Sequence, residues 1–257
     1  MLKNEPFLWE VEATRDRACL MLHGLGGGVY EMQLLGDYLY QRGLTVQGIN
    51  YPGHDRPSPK MPASTWEQWY GHALATYQAL AQRYQAISLV GFSTGCPLAL
   101  HLAANYPVER LVLLSPYFAI RCYWYLLVPP EVYLHSFLGK WIADLPRLAL
   151  PIRDRAMRQQ AEAIAFFQSF NLSAVRSASE LIALAKAELP TIQSPTLIIQ
   201  SPKDTVVDPS GAKLVYNTLG SAEKRLHWLR QSDHIISLDV EREEVFQEVG
   251  CFLGLPT

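Results

Sequence analysis

Apolar residues fall in short unbroken runs along this chain, and between the runs they recur every three or four positions. Ala18-Cys19-Leu20-Met21-Leu22 is the first run, and His23-Gly24 ends it. A run of this length bounded by turn residues predicts a strand buried on both faces. Met32, Leu35, Tyr38 and Leu39 then share one face of a predicted helix. Leu44 to Ile49 predicts a second strand, Ala86 to Phe92 a third, and Arg110 to Leu114 a fourth. Thr196 to Gln200 predicts a fifth and Lys224 to Leu229 a sixth. Helices are predicted between them. Ser64-x-x-Glu67 is a capping box that opens one running to about Tyr84. Others cover about Thr94 to Asn105, Pro209 to Leu219 with Asp208 as N-cap, and Val240 to Phe252.

Strands that alternate with helices predict a mostly parallel sheet with helices on both faces, the α/β class. The alternation stops between Ser115 and Pro195. That stretch has helical composition, two aromatic groups (Tyr117-Phe118 with Tyr123-Trp124-Tyr125, and Phe166-Phe167 with Phe170) and breaks at Pro129-Pro130, Pro146, Pro151 and Pro190. It is expected to be a helical cap over 116–194, inserted into a core formed by 1–115 and 195–257. A cap entered straight after a strand end sits over the carboxyl ends of the sheet.

Composition narrows the function classes. Of 257 residues, 49% are apolar and 18% charged, which supports a sizeable core and excludes global disorder. The net charge of −2, from 22 basic and 24 acidic residues, argues against a nucleic-acid binder. The opening residues Met1 to Pro6 lack the apolar segment of a signal peptide, and the longest apolar run, Cys122 to Val128, is too short to span a bilayer. Cys19, Cys96, Cys122 and Cys251 form no C-x-x-C pair, so neither a zinc site nor a dense disulfide framework is expected. Reduced thiols in a cytoplasmic protein are the expectation.

The chemistry concentrates in the turns that follow strands. Gly91-Phe92-Ser93-Thr94-Gly95 is a G-x-S-x-G pentapeptide between a predicted strand and a predicted helix. A sharp turn there strains one residue and exposes its hydroxyl above the sheet, at a helix N-terminus that favours negative charge. The plainer reading is a βα turn with a capping serine. Gly24-Leu25-Gly26-Gly27-Gly28 follows the first run. It fails as a dinucleotide fingerprint, because Val29 stands at the sixth position and no acidic residue occurs from Gly43 to Gly53. His23 is expected to be structural beneath this loop.

A nucleophilic serine needs a base, and the base needs a carboxylate. Of seven histidines, His72, His101, His135 and His227 fall within predicted elements, where packing is the usual role. His234 lies in a loop after the sixth strand, where catalytic groups of α/β sheets gather. Asp204 follows the fifth strand. Asp208 competes with it but has an ordinary role as an N-cap, and Asp233 adjoins His234, with its side chain expected to point elsewhere. The order Ser93, Asp204, His234 is that of α/β-hydrolases.

From about Cys19 to Phe252 the chain resembles the α/β-hydrolase superfamily, and within it the small bacterial carboxylesterases and monoacylglycerol lipases. The residues that carry this are His23-Gly24-Leu25-Gly26-Gly27, Tyr51-Pro52-Gly53-His54, the Ser93 turn, Asp204 to Pro209, and Ser232 to Asp239. Two positions depart from the family pattern: Cys96 after the Ser93 turn, and Ser201-Pro202-Lys203 before Asp204, where a glycine is common. The resemblance implies a serine hydrolase of carboxylic esters without metal or organic cofactor. It implies Ser93 as nucleophile, His234 as base, Asp204 as its orienting acid, and the Leu25 and Thr94 amides as oxyanion donors. A small ester substrate is the implied partner, with short to medium acyl esters or monoacylglycerols favoured over peptides. Lysophospholipase, thioesterase, peptidase and C–C hydrolase chemistry use the same triad and stay open, as does a binding protein on the same scaffold.

Overall fold

The six predicted strands lie side by side in one sheet, the sixth of them at an edge. The structure, a computed structural model, describes residues 1–11, 16–122, 132, 142–147 and 149–256. Its elements are β1 (Phe7–Trp9), β2 (Arg17–Leu22), α1 (Tyr30–Tyr40), β3 (Thr45–Ile49), α2 (Trp66–Ala81), β4 (Ala86–Phe92), α3 (Gly95–Asn105) and β5 (Leu111–Leu114). After these come β6 (Asp144–Pro146), α4 (Arg155–Glu162), β7 (Ser169–Asn171), α5 (Leu172–Glu188), β8 (Thr196–Gln200), α6 (Ser210–Thr218), β9 (Lys224–Trp228) and α7 (Arg242–Phe252). The main sheet has seven strands in the order β1-β3-β2-β4-β5-β8-β9. All its neighbours pair in parallel except β1, which runs antiparallel to β3 at the edge.

The strand interiors explain why their sequences are apolar without alternation. Ala18, Leu20, Leu22, Leu89, Leu111, Leu113 and Ile198 belong to one core cluster, together with α2, α3, α5 and α6. Cys19, Met21, Val90, Val112, Leu114, Leu197 and Ile199 belong to the other, with α1 and α7. Successive residues of a strand point to opposite faces, and both faces are covered here. Each leucine or isoleucine fully buried this way contributes about 1.5–3 kcal/mol.

Three expectations change. The capping box of α2 lies one residue on: Thr65 is the N-cap, and Gln68 Oε1 accepts its amide at 2.9 Å. Ser64 is occupied elsewhere, accepting the indole N–H of buried Trp69 at 2.9 Å. A buried indole donor requires an acceptor, and that demand outweighs the cap. The second change is β1, too short to show a period. The third is the insert between β5 and β8, which is not purely helical. Asp144–Pro146 and Ser169–Asn171 pair as an antiparallel ribbon. The long helix α5 joins the core cluster beside α2 and α3, and Ser177 Oγ accepts the Trp66 amide at 2.8 Å. Tyr117, Phe118 and Phe167 are buried. Tyr123, Trp124, Tyr125, Pro129, Pro130 and His135 lie outside the described residues. Among the described residues no helix is long and apolar enough to cross a membrane.

Candidate active site

The chain leaves β2 toward β3 on one side of it and later places β4 on the other. The strand order therefore reverses at β2/β4, and a crevice opens beyond their carboxyl ends. Leu22 pairs with Gly91 across these strands, so the Gly24 and Ser93 turns emerge side by side.

Ser93 sits at φ 52°, in the left-handed region that side-chain residues rarely occupy. Its flanking glycines follow from contact. A Cβ on Gly91 would lie 2.5 Å from the Gly95 carbonyl oxygen, and one on Gly95 would lie 2.1 Å from the Leu22 carbonyl oxygen. Both obstacles are backbone and cannot swing aside. Gly95→Ala is therefore expected to lower stability by about 2–3 kcal/mol, read from the urea midpoint. An unchanged midpoint would show that the turn relaxes freely.

The structure brings Ser93, His234 and Asp204 together. Ser93 Oγ lies 3.0 Å from His234 Nε2, and His234 Nδ1 lies 2.8 Å from Asp204 Oδ2. Ser93 was expected to be exposed, yet it is only 6% exposed, because the insert roofs the cavity whose wall it joins. Asp204 is fully buried and held on both oxygens. Its Oδ1 accepts the Val206 and Val207 amides at 2.8 and 2.9 Å, and its Oδ2 also accepts Gln200 Nε2 at 3.0 Å. Burial works to raise its pKa, but His234 and the two amides outweigh it and hold the carboxyl below the usual range. For His234, burial opposes the charged form, but the charge and hydrogen bond of Asp204, with Glu31 and Asp233, raise the imidazole above its ordinary value. Such a base readily takes a proton from Ser93 and stabilises the charge it gains.

The competing groups are occupied. Asp208 accepts the Ser210 amide at 2.8 Å at the start of α6, which begins one residue later than expected. Asp233 Oδ1 accepts the Thr205 and His234 amides, each at 2.9 Å, and so ties the Asp204 and His234 loops together. His101 pairs with Glu188 and His227 with Glu244. His23 is buried, its Nδ1 2.8 Å from the Gly24 oxygen, and burial keeps its pKa well below the ordinary value.

The Gly24 turn is organised around its amides. Glu31 accepts that of Gly24 at 3.0 Å, His54 Nε2 that of Gly26 at 2.9 Å, and the Gly24 carbonyl that of Gly27 at 3.2 Å. Among the described residues no acceptor takes the Leu25 amide, on a turn so close that a Cβ on Gly24 would meet Ser93 Cβ at 3.2 Å. Thr94 follows Ser93 as N-cap of α3. The two family departures are absorbed locally. Cys96 is buried, with its thiol 3.2 Å from the Gly91 oxygen and 3.3 Å from the Leu114 oxygen. Ser201 Oγ accepts the Lys203 amide at 3.1 Å and donates to the Ser232 carbonyl, so its hydroxyl braces the Asp204 turn.

Above these groups is a cavity of about 860 Å³. Leu25, Tyr117, Ile120, Leu145, Leu150 and Phe170 are among its apolar walls. Several residues of the site carried no readable role in the sequence: Glu31, His54, Ser115, Arg121, Arg147 and Gln200. Ser115, at φ 47°, donates to the His234 carbonyl at 2.8 Å, and Arg121 donates to the Asp204 carbonyl at 2.6 Å. Arg147 donates to the Gly26 carbonyl at 2.6 Å, from the insert. The signals available were the glycine run, whose lack of side chains leaves room for such partners, and the Tyr51-Pro52-Gly53-His54 motif, which marks the loop of His54 without assigning it a role.

Known proteins resemble this chain over most of its length. A carboxylesterase of Bacillus subtilis (strain 168) is 26% identical over 239 residues, which is 93% of this chain and 92% of that protein. A thermostable monoacylglycerol lipase of Bacillus sp. (strain H-257) is 28% identical over 229 residues, 89% of this chain and 86% of that one. Among solved structures, one from work on LipS and LipT, two metagenome-derived lipolytic enzymes, superposes with a TM-score of 0.85 at 26% identity, covering 98% of this chain and 97% of that one. These likenesses span the whole α/β-hydrolase fold rather than the Ser93 turn alone. Since the model of the serine aminopeptidase, S33 family (Hydrolase_4) matches residues 13–241, nearly the full length, the chain belongs to that family.

Proposed function

We propose that this protein hydrolyses carboxylic esters of short to medium acyl chains, monoacylglycerols among them, through an acyl-enzyme. The observation that carries this reading is the chain Ser93–His234–Asp204, which ends on a hydroxyl in the wall of a largely apolar cavity. Ser93 attacks the ester carbonyl while His234 Nε2 takes its proton and later delivers it to the leaving alcohol. Asp204 holds the tautomer with a proton on Nδ1 and stabilises the imidazolium. Water then enters by the same route in reverse and frees the acid. The Leu25 and Thr94 amides stabilise the tetrahedral oxyanion, at about 3–4 kcal/mol per donor in comparable sites. The ester activities of the two Bacillus relatives support the same reading.

The cavity favours acyl chains over peptides. Each buried CH₂ contributes about 0.8 kcal/mol there. A peptide with a free amino terminus needs an unspent carboxylate, but among the described residues the wall's carboxylates are engaged. Glu31 holds the Gly24 amide, and Asp233 holds the Thr205 and His234 amides. We also infer a cytoplasmic location, supported by the free thiols of Cys19, Cys96 and Cys251.

The test is a series of p-nitrophenyl esters and monoacylglycerols of graded chain length beside a matched series of aminoacyl amides. Ester kcat/KM is expected to rise with chain length through the short acyl groups and to exceed amide kcat/KM throughout. Faster turnover of the amides would overturn the ester reading and leave the triad in place. Neither a lipid interface nor an added cofactor is expected to be required.

A further inference from the structure

Glu31 is a buried carboxyl in the cavity wall that none of the steps above uses. It stands in the first turn of α1 and is only 4% exposed. Its Oε2 accepts the Gly24 amide at 3.0 Å, one residue before Leu25. The same oxygen fills the space beside Gly27, where a Cβ would lie 2.2 Å from it. Gly27 and Glu31 are thus complementary: the turn folds over the carboxylate only because Gly27 has no side chain. At its backbone, the Glu31 carbonyl accepts Ser237 Oγ from the loop that carries His234. One residue therefore touches both the turn of the Leu25 amide and the loop of the base.

The charged and titratable groups around it come from several elements. They are Arg147 from the insert, His234 after β9, Tyr51 after β3, and its neighbour Tyr30. Burial pushes the Glu31 carboxyl up to about 7, against the pull of the Gly24 amide, Arg147, His234 and the Gly28 amide. Its charge is in turn one of those that favour protonated His234.

We propose that Glu31 is a positioning residue for this reaction: its carboxylate anchors the turn that presents the Leu25 amide, and its negative charge, added to that of Asp204, favours the imidazolium that His234 becomes in the transition state. This rests on the Ser93 hydrolase reading. A merely structural Glu31 would serve the anchor alone.

Glu31→Gln separates the two roles, since the amide oxygen still accepts the Gly24 N–H while the charge is gone. In the wild type, the carboxyls of Asp204 and Glu31 favour the protonated imidazole, so the acid limb of the rate profile is expected above that of an ordinary histidine. Removing the negative charge makes the imidazolium less favourable, so His234 becomes neutral at lower pH. The limb is expected to move down by about half a pH unit, with kcat at the plateau reduced about threefold and KM little changed. The limb is read twice, from ester turnover and from the rate at which a fluorophosphonate labels Ser93. A limb that does not move in Glu31→Gln overturns the proposal, whatever happens to the rate. If that variant folds poorly, Glu31→Asp supplies the measurement. It keeps the charge at shorter reach and is expected to hold the wild-type limb while losing rate, and a downward shift there overturns the proposal equally. A wild type that is labelled but cleaves no ester removes the ester reading alone, because the labelling limb still tests Glu31.

Discussion

Ser93→Ala is expected to reduce ester turnover by about 10⁶-fold while leaving the fold unchanged. The size of the effect follows from the geometry. Ser93 Oγ is the atom 3.0 Å from His234 Nε2, and its loss leaves the base without a nucleophile to activate. Cys96, the nearest thiol by sequence, cannot replace it. That thiol is buried beneath the turn against the Gly91 and Leu114 carbonyls, and burial pushes its pKa well above the ordinary value. The φ of 52° is imposed by the strand-to-helix turn and is equally strained for alanine, so the melting temperature should change little. A fluorophosphonate probe is expected to label the wild type at Ser93 and the variant nowhere. Labelling that persists in Ser93→Ala would mean that another residue is the nucleophile.

The second large effect distinguishes two aspartates four positions apart. Asp204→Asn is expected to lower kcat by about 10⁴, as loss of a triad carboxylate does elsewhere. Asparagine can still present an oxygen to the Val206 and Val207 amides. Its NH₂ then occupies the place of Oδ2, facing Gln200 Nε2 and His234 Nδ1, where an acceptor is required. The imidazole must present an unprotonated Nδ1 to that NH₂, so its Nε2 carries the proton and cannot take one from Ser93. Asp208→Asn keeps an oxygen for the Ser210 amide and is expected to leave kcat within about twofold and stability within a few tenths of a kcal/mol. Both variants are measured on one p-nitrophenyl ester, and reversed magnitudes would mean that the acid is Asp208.

The central strands and the helices between them were legible because a strand covered on both faces must be apolar throughout. Ala18 to Leu22 and Ala86 to Phe92 meet that condition. Ser93, Asp204 and His234 were legible for a related reason, since turns after parallel strands gather at one end of a sheet. The capping box was misplaced by one residue because a serine hydroxyl has two uses, and only the buried indole of Trp69 decides between them. β1 and the β6–β7 ribbon are three residues each, too short for any period to register.

The local pattern of this chain therefore carries the sheet, the serine turn and the order of the triad, because burial and strand-to-helix geometry act on neighbours in sequence. Several supports of the site come from long range and leave no such pattern. Arg121 reaches the Asp204 carbonyl across 83 positions, and Ser115 reaches the His234 carbonyl across 119. Arg147 grips the Gly26 carbonyl across 121 positions. Whether a carboxyl such as Glu31 is solvated or sealed into the cavity wall depends on the elements packed around it, and that packing sets its charge. Only the tertiary structure decides it.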